Sequence, residues 1–167
     1  KLLEEAMTGV NAFDHPQDTQ IDMVFAARHV DPKYVNNDQV RIEIHKQISS
    51  LNTLADLEDL KVALKDRFGP LDVDLVLYMY EKLYNKYVAR LGIQKTDVSL
   101  ESVTLTLKKE ASLEIDGKKL FECANKVQPP IQLDYVRGRV QIKLYTRYKK
   151  EHWLYIMVHF LENYFKK

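Results

Sequence analysis

The sequence contains little cysteine, glycine or proline, and these scarcities exclude several classes of protein. Cys123 is the only cysteine in 167 residues, so no intrachain disulfide can form, which favours a reducing compartment. The five glycines are scattered at positions 9, 69, 92, 117 and 138, so the chain has no glycine-rich phosphate loop. No apolar run approaches the roughly 20 residues of a membrane-spanning helix. We therefore expect a cytoplasmic chain that makes no membrane contact and binds no ATP by itself.

A strong excess of charge of either sign is also lacking. The formal net charge is +1, and hydrophobic and charged residues make up 46% and 29% of the chain. This balance is typical of a folded domain, and it argues against both wholesale disorder and general polyanion binding. The length predicts a single domain spanning residues 1–167. Because the chain begins at Lys1 rather than at a methionine, we expect it to be a piece of a longer protein.

The first half of the chain predicts a mainly helical part. A polar loop over residues 11–19 precedes an alternating pattern from Ile21 that is typical of a strand. Three helices are predicted next, and Thr53 with Asp56 matches a capping box at the start of the second. Glycines 69 and 92 are placed to end the second and third helices. The apolar stripes of the three helices are, in order, Val40, Ile44, Ile48 and Leu51; Leu57, Leu60, Leu64 and Phe68; and Val76, Met79, Leu83, Tyr87 and Leu91.

The second half of the chain changes to a strand-like period of two. Strands are predicted at residues 103–107 and around 113–115, and Asp116 is placed to cap a short helix. Two further strands meet at Arg137-Gly138, a pair typical of a hairpin turn, and a last helix is predicted from about residue 149. The predicted fold class is therefore α+β, in which an N-terminal helical part precedes a mainly antiparallel sheet with packed helices. The order in the second half reads ββαββα.

No residues form a recognisable catalytic or metal centre in the sequence. Of the five histidines, only His152 and His159 could share one helix face, and no third ligand is near them in sequence. Cys123 lies in a short apolar helix and is interpreted as a buried core residue. We therefore predict no catalytic, cofactor-binding or metal-binding residues, and no enzymatic activity of this chain alone.

Basic and aromatic residues alternate over residues 143–153. Such a pattern can combine phosphate contacts with base stacking, and it would suit a stand-alone nucleic-acid-binding adaptor. The same residues also fit a strand and a helix start whose aromatic side chains, including Trp153, belong to the core. Both interpretations stay open at the level of the sequence.

A row of acids lies along the second predicted helix, on the side opposite its apolar stripe. At about 100° per residue, Asp56, Asp59 and Asp66 point away from the leucines of that helix. Such a ridge could meet a basic surface on a partner, or it could be an ordinary solvated face.

Several short segments together carry a resemblance to a known family. The most specific is Asp66-Arg67-Phe68-Gly69-Pro70-Leu71, which follows a leucine-rich helix and precedes Leu91-Gly92-Ile93 by about 20 residues. Taken together, these segments resemble the C-terminal domain of the bacterial transcription-repair coupling factor (TRCF) family. The resemblance covers about residues 1–95 by motif, and residues 96–167 by pattern only. Its further segments are 2–6, 21–22, 34–37, 41–42, 48 and 57–64.

The resemblance implies a function that the composition does not. Full-length members of the family are ATP-dependent DNA translocases that displace RNA polymerase stalled at lesions and recruit nucleotide excision repair through UvrA. In that family the ATP and Mg²⁺ sites lie upstream of this segment. The C-terminal domain packs on an N-terminal UvrB-like module of the same chain and masks its UvrA-binding surface. The implied role is an autoinhibitory, regulatory clamp without catalytic residues.

The resemblance also implies roles for particular residues. The family carries acids toward the end of the helix that precedes the Asp-Arg-Phe-Gly segment, and Asp66 matches the last of them. Ala63 stands where an acid is common, which leaves Asp59 as a substitute. The partner-binding hypothesis therefore covers the three acids of the ridge. The segment Arg67, Phe68, Gly69 and Pro70 is interpreted as a structural signature.

Overall fold

The computed structural model describes residues 30–127, 131–147 and 151–166, and these contain six helices and four strands. The strand predicted from Ile21 and the loop at 11–19 lie outside the described residues. The element order confirms an α+β fold with an antiparallel sheet. The elements are α1 (Asp38–Ser49), α2 (Leu54–Phe68), α3 (Val73–Leu91), β1 (Ile93–Val98), β2 (Ser102–Leu107), α4 (Lys109–Glu114), α5 (Gly117–Asn125), β3 (Gln132–Val136), β4 (Arg139–Tyr145) and α6 (Trp153–Phe165).

The described residues cluster into two compact units. One holds residues up to 51 together with 58–79, and the other holds residues 52–57 together with 80 onward. The helices α2 and α3 each contribute residues to both units. The expectation of one domain over residues 1–167 stays a prediction.

The first unit is built from helices whose starts are fixed by side chains. The Asn37 side chain accepts a hydrogen bond from the backbone N–H of Val40, so it caps α1 as polar N-cap residues do. Arg41 is buried, donates to the carbonyl of Val35 at 2.7 Å and pairs with Asp38. Apolar side chains that are at most 4% exposed form the core of this unit: Val30, Val35, Ile44, Ile48, Leu51, Leu64, Leu75, Tyr78 and Met79.

The second unit contains the sheet, in the order β1-β2-β4-β3 with every neighbouring pair antiparallel. One sequence-based expectation about it is wrong, and one of its strands was not predicted. Residues 113–115 form no strand, because Leu113 belongs to α4 and is 80% exposed. The first strand is instead β1, which the sequence analysis missed. It is a polar edge strand with one buried residue, Ile93, so it shows no alternation of apolar residues.

Alternation along β2 and β4 gives the sheet two different faces. Leu105 lies opposite Ile142 and Val103 opposite Leu144, and all four side chains are fully buried. The intervening residues of both strands point to the other face, which is polar and only partly covered. The hairpin turn between β3 and β4 is confirmed at Arg137-Gly138, where both φ angles are positive, at 53° and 79°.

Three tyrosines of α3, Tyr80, Tyr84 and Tyr87, belong to the core of the second unit. Three pairs of rings join the C-terminal half of α3 to α6 at centroid distances between 4.7 and 5.6 Å. Such pairs stabilise beyond the area they bury, by about 0.5–1.5 kcal/mol each. They are Tyr80 with Tyr155, Tyr84 with Trp153, and Tyr87 with Phe165.

Burial of Tyr84 makes the stability of this unit sensitive to alkaline pH. Burial raises the pKa of the Tyr84 phenol to about 12, while a 2.7 Å hydrogen bond to the Thr96 hydroxyl acts in the lowering direction. Because the folded pKa exceeds the unfolded value of 10, the stabilisation is complete below pH 10 and is lost as the pH rises toward 12. Between pH 9 and 11.5, we expect the free energy of unfolding to fall less in Tyr84→Phe than in the wild type. The difference between the two losses should reach about 2 kcal/mol.

Urea unfolding at the two pH values measures this difference. Tyr135→Phe is the matched control, because Tyr135 is 64% exposed and should leave the pH dependence unchanged. An equal loss of stability in Tyr84→Phe and the wild type would contradict the role of burial.

Candidate docking surface

The start of α2 confirms the predicted capping box. The Thr53 hydroxyl accepts from the backbone N–H of Asp56 at 3.1 Å. In return, the Asp56 carboxylate accepts from the backbone N–H groups of Asn52 and Thr53, each at 3.2 Å. The box satisfies donors that a helix start otherwise leaves without partners. Asp56 is exposed, but its carboxylate is already engaged in starting the helix.

The outer face of α2 carries the other two acids of the ridge. Asp59 and Asp66 are exposed, and each lies on the side opposite buried leucines such as Leu64. Neither acid makes an ion pair with any residue in the described part of the chain, whereas Glu58 pairs with Lys61 at 3.3 Å. Two carboxylates without an ion-pair partner among the described residues thus stand on one face.

An exposed valine lies between these acids. Val62 is 68% exposed and is three residues after Asp59 and four residues before Asp66. At 100° per residue, the three side chains fall within an arc of about 60°. We call this set, Asp59, Val62 and Asp66, the α2 docking face. Val62 was not among the residues predicted for docking, although its place outside the leucine stripe is visible in the sequence.

The Arg67–Pro70 segment lies at the end of α2, and its interpretation as a structural signature stays a prediction. Gly69 has a φ of +91°, and its N–H donates to the carbonyl of Lys65 at 2.9 Å. The helix therefore ends at a glycine in the left-handed conformation, a common way for helices to end. The Tyr34 hydroxyl donates to the carbonyl of Gly69 at 2.7 Å, and its ring lies 5.8 Å from that of Phe68. Phe68 is half-buried and Arg67 lies over its ring, 4.7 Å from the centroid. Pro70 follows in an exposed position.

The hydroxyl of Tyr34 is part of this helix end and was not predicted. Burial, and secondarily the charge of Asp72, raise the pKa of Tyr34. The phenol therefore stays protonated and can donate its hydrogen bond at neutral pH. The sequence did not indicate this contact, because Tyr34 and the end of α2 are at least 30 residues apart.

Within the stretch 143–153, residues 148–150 lie outside the described residues, and the described ones belong to different parts of the second unit. Lys143 and Tyr145 belong to the polar face of the sheet, and Arg147 pairs with Glu101 at 3.2 Å. Trp153 is half-buried at the start of α6 and packs edge-on against Tyr84. The adaptor interpretation based on this whole stretch stays a prediction.

The two histidines that could share a helix face have separate structural roles. The Nδ1 atom of His152 accepts from the N–H of Leu154 and caps α6, and Nδ1 of His159 lies 2.7 Å from the carbonyl of Tyr155. Among the described residues, no cluster of three or more potential ligands could hold a metal ion. None of the helices in the same residues has the length and apolar character needed to cross a bilayer.

Known proteins resemble this chain both in sequence and in fold. The family model described as the TRCF domain matches residues 26–118. Transcription-repair-coupling factors of Bacillus subtilis (strain 168) and Staphylococcus haemolyticus (strain JCSC1435) are 29% and 24% identical over 92% of this chain. The alignments cover 13% of each relative, so the chain spans about an eighth of the curated relatives it matches.

A solved structure extends the likeness to the fold. It is described as the crystal structure of the C-terminal domain of transcription-repair coupling factor. It superposes with a TM-score of 0.67 over 81% of this chain and 85% of that chain, at 17% identity. At this identity the match supports the fold alone.

Proposed function

This chain belongs to the TRCF domain family, and from that premise we propose that it is the regulatory C-terminal domain of a transcription-repair coupling factor. In this proposal the whole protein is an ATP-dependent DNA translocase that displaces stalled RNA polymerase and recruits excision repair. The domain docks on an N-terminal UvrB-like module and masks the surface that binds UvrA. Docking is released when the motor engages a stalled polymerase.

The α2 docking face is the observation that carries this proposal. Its acids have no cation partner in the described residues, and Val62 exposes apolar surface between them. Burying a valine side chain contributes about 1.5–3 kcal/mol. Exposed ion pairs contribute only about 0–1 kcal/mol each, but removing one member of a desolvated pair costs about 2–5 kcal/mol. In this proposal Val62 supplies the apolar part of the contact, and the two ion pairs make the contact sensitive to a change of charge.

A small interface suits a clamp that must open. Docking within one chain is helped by an effective concentration of the order of millimolar, so a contact that is weak between separate molecules can still hold. The complementary surface on the N-terminal module would need an apolar pocket between two basic side chains. Asp56 is not needed in this contact, because its carboxylate is engaged in the capping box.

The charge-reversal variant Asp59→Lys with Asp66→Lys tests the proposal. In the full-length protein, we expect it to capture more UvrA and to hydrolyse ATP faster than the wild type in the absence of a stalled polymerase. The reason is that two lysines repel the basic side chains which the acids would attract. Pull-down by immobilised UvrA and a steady-state ATPase assay measure the two effects.

Two controls separate loss of docking from loss of folding. The 167-residue chain carrying the same pair should keep its melting temperature, because both residues are exposed. Glu43→Lys with Glu122→Lys makes the same change of charge at exposed positions on α1 and α5, and it should capture UvrA at the wild-type level. Equal, low capture by wild type and Asp59→Lys/Asp66→Lys would remove the α2 docking face as the clamp surface.

A further inference from the structure

The polar face of the sheet carries a row of side chains along the central strand β4. Arg139, Gln141, Lys143 and Tyr145 alternate with the residues of β4 that face the core. Neighbours in such a row are about 7 Å apart, so the four side chains extend over about 20 Å. We call these four residues the β4 track. In order, it presents a cation, an amide, a second cation and an aromatic ring.

Further positive charge surrounds the Arg139 end of the track. A shallow concavity of about 500 Å³ lies there, and no carboxylate belongs to the described residues that line it. These residues supply three cations, two neutral hydrogen-bonding side chains and one valine. They are Thr106, Lys109, Val136, Arg137, Arg139 and Gln141.

The cations of the track form no ion pair with a described acid, although Glu110 lines a neighbouring concavity together with Lys109 and Arg139. The Arg139 guanidinium donates to the neutral side-chain amide of Gln94, and the ammonium of Lys143 lies 5.0 Å from the centroid of the Tyr145 ring. Neither residue, nor Lys109 or Arg137, makes an ion pair within the described residues. Clustered like charges destabilise the compact state by mutual repulsion, so folding does not explain them.

Carboxylates on the same face are fewer and already have partners. Asp97 on β1 lies 3.5 Å from the ammonium of Lys95. Asp134 on β3 accepts two hydrogen bonds from the Gln132 amide, at 3.1 and 3.3 Å. The face therefore has an excess of positive charge, although the whole chain carries a net charge of only +1. Binding of an anion would have to be local to this surface.

We propose that a single strand of nucleic acid binds along the β4 track. Its phosphates would contact Arg139, Lys143 and the cations of the concavity, and a base would stack on Tyr145, which is 47% exposed. Cationic tracks with an aromatic platform are the usual means of binding single strands without sequence preference. This proposal is separate from the docking role of α2, because it uses other residues and another ligand.

Nucleic acid fits this face better than an acidic protein does. Protein interfaces usually have an apolar centre. Among the described strand residues on this face, Val136 is the one aliphatic side chain, and it lies at the edge. The hydroxyls of Thr104 and Thr106 and the amide of Gln141 suit sugar and base edges instead. The four-stranded sheet is about 14 Å across, at about 4.8 Å between strands, which is wider than the major groove of about 12 Å and favours a single strand.

Fluorescence anisotropy of a labelled 12-nucleotide oligo-dT tests the proposal with the 167-residue chain. We expect micromolar binding at 50 mM salt, with the logarithm of affinity falling linearly in the logarithm of salt concentration. Arg139→Gln with Lys143→Gln should weaken binding at least about tenfold and flatten the slope by about 1.4, or about 0.7 per lost phosphate contact. Tyr145→Ala should weaken binding at least about fivefold at an unchanged slope, because stacking involves no counterion release.

Matched variants and competitors make each outcome decisive. Lys46→Gln with Lys65→Gln changes the net charge equally on α1 and α2 and should bind like the wild type. Lys109→Gln with Arg137→Gln, at the concavity, provides a second charge pair if the first variant has a lowered melting temperature. No binding at 50 mM salt, or equal binding by track and control variants, would overturn the proposal. Equal competition by a 12-base-pair duplex or by poly-glutamate would also reject it, in favour of a duplex or an acidic polypeptide.

Discussion

Replacement of Phe160 by alanine is expected to lower the free energy of unfolding by about 3–5 kcal/mol. The Phe160 side chain is fully buried in α6, and truncation would leave a cavity that close-packed neighbours fill only in part. The helix around it is apolar on nearly every side, as expected of a helix in the centre of a unit. Its other buried residues are Leu154, Ile156, Met157, Val158 and Leu161.

Chemical denaturation followed by tryptophan fluorescence measures this effect. Trp153 is the single tryptophan and begins the same helix, so its emission reports on the unit that contains Phe160. Phe121→Ala removes the same group from α5 at a position that is 58% exposed, and it should cost less than about 0.5 kcal/mol. A loss below 1 kcal/mol for Phe160→Ala would contradict its place in the core.

The second large effect is expected from Gly92→Ala, which should lower the free energy of unfolding by about 2–5 kcal/mol. Gly92 ends α3 with a φ of +82°, a conformation that costs a residue with a Cβ about 1–2 kcal/mol. An added Cβ would also lie 2.5 Å from the Cβ of Ala111 in α4, which is far inside van der Waals contact. Overpacking of this kind adds about 1–3 kcal/mol.

Gly69→Ala provides the matched control for backbone strain. Gly69 also has a positive φ, of +91°, but a Cβ there would meet nothing within 4 Å. It should therefore cost only the conformational part, about 1–2 kcal/mol. Thermal or chemical unfolding of both variants measures the difference. Equal losses would show that the approach of Ala111 to Gly92 does not limit the packing.

Combining Gly92→Ala with Ala111→Gly isolates the steric contact. The second change removes the methyl group that the new Cβ would meet, at the ordinary cost of glycine in a helix, about 1 kcal/mol. A double-mutant cycle should therefore show a favourable coupling of about 1–3 kcal/mol between the two substitutions. Additive losses would assign the whole effect of Gly92→Ala to backbone strain.

Elements specified by neighbouring residues were predictable from the sequence. The capping box at Thr53 and Asp56, the helix ends at Gly69 and Gly92, and the Arg137-Gly138 turn all depend on contacts or φ angles within a few residues. The apolar stripes of α1, α2 and α3 were predictable for the same reason, since a helix repeats every 3.6 residues whatever surrounds it.

Features that depend on distant residues were decided only by the tertiary structure. The polar strand β1 exists because β2 pairs with it, and no hydrophobic pattern of its own indicates a strand. The Tyr34 hydroxyl reaches the end of α2 across more than 30 residues, and the half-buried state of Phe68 depends on such packing.

The two candidate surfaces also combine features set by neighbouring residues with features set by distant ones. The spacing of Asp59 and Asp66 along one helix was readable in the sequence, because helical periodicity alone puts them on one face. The β4 track likewise follows from the period of two along one strand. The concavity at its end was not readable, because Lys109, Arg137 and Arg139 come together only when the hairpin pairs with β2 and α4 follows that strand. Local sequence determines which side of an element a residue occupies. Strand register and packing decide which elements become its neighbours, and these arise from the chain as a whole.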